Sequence, residues 1–137
     1  MHSEEKGFME TKYSFGKTLD AGFEQTIERV TQALGKEGFG ILSDIDVAAT
    51  LKKKLGLDVP AYRILGACNP QFAHRALEAE PQIGTLLPCN VVVRAQDGKT
   101  VVDVMDPLAV MQLVGKPEVA TIAKEVRSRL DRVLAAL

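Results

Sequence analysis

Tryptophan is absent, and two tyrosines and five phenylalanines are all the aromatic residues available. That is too few for the stacking platform on which single-stranded nucleic acids are held. Charge of one sign is lacking too. Seventeen basic residues oppose eighteen acidic ones, for a formal charge of −1, so no electrostatic pull toward nucleic acid or an anionic membrane is expected. Two cysteines are too few for a disulfide scaffold and leave a reducing cytoplasm as the expected compartment. No run approaches the ~20 apolar residues that cross a bilayer, and polar Met1–Gly7 lacks the apolar stretch of a secretory signal. Of the two histidines, His2 sits in the polar tail, and no serine–histidine–acid order suggests a triad. Gly38 and Gly40 lack the following helix and further glycine of a phosphate loop. There is no internal repeat and no low-complexity segment.

What is present fits one globular domain. The chain has 137 residues, 46% of them apolar and 26% charged. A chain of this size buries roughly two thirds of its unfolded surface without a disulfide or metal. Residues 1–6 read as a loose tail, native or vector-derived, and residues 7–137 as a single α/β domain. Met9, Thr11, Tyr13 and Phe15 alternate as one face of a first strand, Met9 to Phe15. Asp20 is placed to cap a helix whose stripe is Phe23, Ile27, Val30 and Leu34, with Gly38 as its left-handed stop. A second strand over 38–45 leads to Asp46, the cap of a shorter helix from Val47 to Leu55 that ends at Gly56. Lys52, Lys53 and Lys54 read as the solvated, dipole-favoured end of that helix rather than a phosphate site.

The stretch Tyr62–Pro107 organises the rest. Tyr62–Cys68 is the third strand, Asn69 caps a helix with Pro70 at its first position, and Pro81 stops that helix. An apolar connection from Ile83 to Leu87 leads to a fourth strand through Val91, Val92 and Val93. The Asp97-Gly98 turn returns the chain as a fifth strand from Thr100 to Met105. A short helix opened by Asp106-Pro107 runs to Val114. A long last helix over 118–136 then carries the stripe Val119, Ile122, Val126, Leu130, Val133 and Leu137, suited to core or dimer contact.

Ala67-Cys68-Asn69-Pro70, Ala73-His74-Arg75-Ala76-Leu77 and Leu86-Leu87-Pro88-Cys89-Asn90-Val91-Val92-Val93 together resemble the domain of unknown function 302 family. Glu37-Gly38-Phe39-Gly40, Asp44-Ile45-Asp46 and Val104-Met105-Asp106-Pro107 match its spacing, so the resemblance spans roughly residues 8–136. It implies an α+β two-layer sandwich, similar in outline to the TATA-binding-protein-like folds, and small, dimeric relatives. Combined with the elements above, the expected fold is a curved, mainly antiparallel five-stranded sheet in the order β-α-β-α-β-α-β-β-α, with the long C-terminal helix packed across it. The family carries no established activity.

If the third and fourth strands are antiparallel, Cys68 at the end of one and Cys89 at the start of the other lie at one sheet edge, and the hairpin returns Asp106 there. The expected cluster is Cys68, Asn69, Cys89, Asn90 and Asp106, with His74 one turn into the adjoining helix. Cys68, Cys89 and His74 would make a soft site for zinc, copper(I) or haem iron, although no Cys-x-x-Cys is present, and no cofactor can be named. Cys68 also precedes a helix N-terminus, which favours a thiolate, with Cys89 as resolving partner in a redox enzyme. Free cysteine is equally a small buried hydrophobe. Three functions follow: a domain binding a small ligand or metal at the Cys68/Cys89 edge, a thiol redox enzyme, or a structural dimerisation module.

Overall fold

The computed structural model describes residues 8–137; the tail expected over residues 1–6 lies outside them. The order is β1 (Phe8–Glu10), β2 (Ser14–Leu19), α1 (Phe23–Lys36), β3 (Gly40–Asp46), α2 (Val47–Leu55), β4 (Tyr62–Cys68), α3 (Pro70–Ala79), β5 (Cys89–Gln96), β6 (Lys99–Met105), α4 (Pro107–Met111) and α5 (Pro117–Ala135). A 3₁₀ helix, Pro81–Leu86, occupies the expected apolar connection, and a second, Gln112–Val114, extends α4.

The sheet has six strands in the order β1-β2-β6-β5-β4-β3, every neighbouring pair antiparallel. The sixth strand comes from the expected Met9–Phe15 element, which is two strands. Thr11 breaks it: its Oγ1 accepts from the backbone N–H groups of Tyr13 (3.1 Å) and Ser14 (2.9 Å), closing a turn. The alternation resets there, so Met9 faces Gly16 in register while Phe15 faces Val104 on the opposite side of the sheet. A side chain that can fold back on its own backbone overrides the period-2 pattern.

In-register rows define the two faces. Phe15, Val104, Val91 and Leu65 form one row, each about 1% exposed. Val30 and Leu34 of α1 and Leu130 and Val133 of α5 close over that face to make the core. The stripe of α5 is thus core, as one of its two expected uses required. The other face carries Met9, Ile64, Val92 and Met105, half-buried, and exposed Asn90. Helix α1 starts later than Asp20 implied: its N-cap is Gly22, and no side chain caps it. Asp46, Asn69 and Asp106 cap α2, α3 and α4 as expected, each accepting a backbone N–H. Arg127 fastens α5 to the sheet. Its guanidinium lies 3.7 Å over the buried Phe15 ring and 2.9 Å from the Asp106 carboxylate.

Candidate functional site

Where β4 and β5 meet the helical layer, the core is not filled. A cavity of about 310 Å³ lies between α3, α5, the Pro81–Leu86 turn and the strand ends, at the lower end of the range of small-molecule sites (~300–1,000 Å³). Phe72, Ala73, Ala76 and Leu77 of α3 form one wall, and Val119, Ile122, Ala123 and Val126 of α5 face them. Ala67, Cys68 and Cys89 come from the strands, with Phe39 and Leu42 at the β3 side and Met111 below. The space has a simple origin: Ala73, Ala76 and Ala123 put only methyl groups where helices pack ~8–10 Å apart and larger side chains would interdigitate. Leu42 (69% exposed) and Leu77 (40%) stand at its solvent side.

As expected, β4 and β5 are antiparallel neighbours, and Cys68, Asn69 and Cys89 all border this cavity. The rest of the expected cluster does not assemble. Cys89 pairs in register with Ala67 and shares its buried, helix-facing side, whereas Cys68, one residue on, has the opposite parity. Asn90 pairs with Gly66 and lines a groove on the other sheet face. The Asp106 carboxylate is taken by Arg127 at 2.9 Å and by the Leu108 N–H at 2.9 Å. His74 points outward, 73% exposed at its side chain, 3.7 Å from Glu78 one turn on. Strand parity and helix phase, not strand order, decide which side chains meet.

Electrostatics run against a reactive thiol. Burial pushes the Cys68 thiol up. Cys89 is pushed up to about 11, by burial first and then by the charge of a Cys68 thiolate. Both are free thiols and protonated at neutral pH, so the lowered Cys68 pKa expected for a redox nucleophile is corrected to a raised one. Among the described residues no three His, Cys, Asp or Glu side chains come together as metal ligands, so Cys68, Cys89 and His74 do not form the expected metal set. Asn69 is spent structurally. Its Oδ1 accepts from Phe72 N–H at 3.4 Å and its Nδ2 donates to the Glu37 carbonyl at 3.4 Å.

The model of the family described as "Domain of unknown function DUF302" matches residues 15–137. The chain belongs to the DUF302 family. A crystal structure of an uncharacterized conserved DUF302 protein from Bacillus stearothermophilus is 32% identical, with a TM-score of 0.85 over 92% of this chain and 98% of that one. No curated protein matches. Among the described residues of this DUF302 domain, no helix is long and apolar enough to cross a membrane.

The lining residues Phe39, Phe72, Ile83, Val119, Ile122 and Met111 were not singled out from the sequence as functional, because each also reads as core. The one available signal was the repeated alanine on the apolar faces of α3 and α5. Alanine there is equally a good helix former, and only the facing of two such helices leaves a hole.

Proposed function

We propose that this domain binds a small, uncharged, apolar ligand in the cavity between α3, α5 and the ends of β4 and β5. The observation that carries the reading is about 310 Å³ of space with apolar walls in which, among the described residues, Asn69 is the sole nitrogen- or oxygen-bearing side chain. The space is open to solvent on one side, and an apolar molecule that enters it buries its own surface and that of the walls together. Ala76→Phe and Ala123→Phe fill the space from opposite walls. The expected outcome is loss of binding of apolar fragments, seen as disappearance of ligand-induced methyl shifts at Ile122 and Val126, with melting temperature kept or raised. Fragments that shift those methyls equally in the filled variants would show that they bind elsewhere.

The strip from β3 to Val59 favours a second reading, self-association. It exposes Leu42, Ile45, Leu55, Leu57 and Val59, α2 buries none of its residues, and among the described residues β3 has an unpaired edge. A second copy suits it. A two-fold apposition would cover the exposed apolar side chains of both copies at once. Light scattering should give a dimer mass, reduced to a monomer by Ile45→Glu with Leu55→Lys. A monomer mass for the unaltered chain at tens of micromolar would sink this reading.

A further inference from the structure

We infer that the cavity is built for a planar aromatic ring system, a ligand class that presupposes the ligand-binding reading above. Cys89, on the helix-facing side of β5, and Met111 bring sulfur to this one space, and Phe39 and Phe72 complete the polarizable part of its wall. Sulfur held against a ring edge, and ring set against ring, are attractions that a saturated molecule of the same size does not make.

Phe72 is held in place for such a contact. Arg75 and Arg129 lie over its ring at 5.7 and 5.1 Å, and neither borders the cavity. Arg129 is anchored in turn by the Glu37 carbonyl at 3.0 Å and by Glu125 at 3.0 Å. The walls offer nothing to a charged or strongly hydrogen-bonding group. The two polar ends of Asn69 are engaged, and no buried side-chain nitrogen or oxygen among the described residues lacks a partner. A carboxylate, phosphate or ammonium group would lose its water there without replacement, so any polar substituent points out past Leu42 and Leu77. The volume, about 310 Å³, is roughly twice the ~150 Å³ of an engineered apolar cavity that takes benzene, which suits a two-ring system.

The test compares molecules alike in size and in their hydroxyl group: benzyl alcohol against cyclohexylmethanol, then 2-naphthalenemethanol. Binding is followed by the Met111 methyl resonance in methyl-labelled protein. The aromatic alcohol should bind at least about threefold more tightly than its saturated counterpart, although the latter is the more hydrophobic, and should move the Met111 methyl by ring current. Naphthalenemethanol should bind tighter still. Met111→Leu and Cys89→Ala, checked for an unchanged fold by their melting curves, should each shrink the aromatic preference by about twofold or more, the range of one sulfur–ring contact. Equal or tighter binding of cyclohexylmethanol in the cavity overturns the aromatic inference and leaves the ligand-binding reading intact. Binding of neither class at the cavity methyls overturns both.

Discussion

Gly38 ties one backbone angle to the rim of the cavity. It sits at φ +86°, and a Cβ there would meet the Asn69 amide nitrogen at 2.9 Å. Gly38→Ala therefore strains the backbone and dislodges the α3 cap together, and is expected to lower stability by about 1–2 kcal/mol in urea titrations. The thiols give a residue-scale test of opposite sign to an active-site cysteine. A raised folded-state pKa means that the unfolded chain ionises first, so stability is fully present below the ordinary thiol pKa of about 8.5 and is lost as pH rises toward about 11, the value for Cys89. Cys89→Ala should flatten that decline between pH 8.5 and 11. Iodoacetamide should leave Cys89 unmodified at pH 7 until the protein unfolds. Rapid alkylation of Cys89 in the folded protein at pH 7 would contradict its burial.

Helix α5 shows at the element scale how much a stripe decides. Val119, Ile122, Val126, Leu130 and Val133 recur at helical spacing and are all buried, because period and length together leave one face to hide. Off the stripe, the arginines divide by position. Arg132 pairs with Glu37 at 2.9 Å near the surface, whereas Arg127 is enclosed between Phe15 and Asp106. Arg127→Ala should cost about 2–3 kcal/mol, since it strands the Asp106 carboxylate and uncovers Phe15. Arg132→Ala, which breaks an exposed pair, should move the denaturant midpoint far less than Arg127→Ala, and the midpoints of the two variants compare them directly. The first strand is the counter-example. Four alternating residues, Met9, Thr11, Tyr13 and Phe15, looked like one face of one strand, and the Thr11 hydroxyl, accepting from two neighbouring amides, divides them between β1 and β2. Short elements are decided by single side chains; long ones are not.

Across the whole molecule, helices pack on one face of the sheet and leave two features that no single element announces. One is the cavity, formed because the alanines of α3 meet the alanine of α5. The other is the β3–α2 strip, which exposes apolar side chains at the sheet edge. Local chemistry in the sequence was enough to place Tyr62–Cys68, the Asn69-Pro70 start of α3, the Asp97-Gly98 hairpin and the Gly56 stop, since caps, turns and periodic stripes are encoded by residues a few positions apart. It also brought Cys68 and Cys89 to one end of neighbouring strands. Tertiary structure alone decided the rest: that the two thiols take opposite parity, that Asp106 belongs to Arg127, that His74 faces outward, and that the helices leave a cleft between them. Those outcomes depend on register, helix phase and the sum of side-chain volumes brought together from distant parts of the chain, quantities that no local pattern contains.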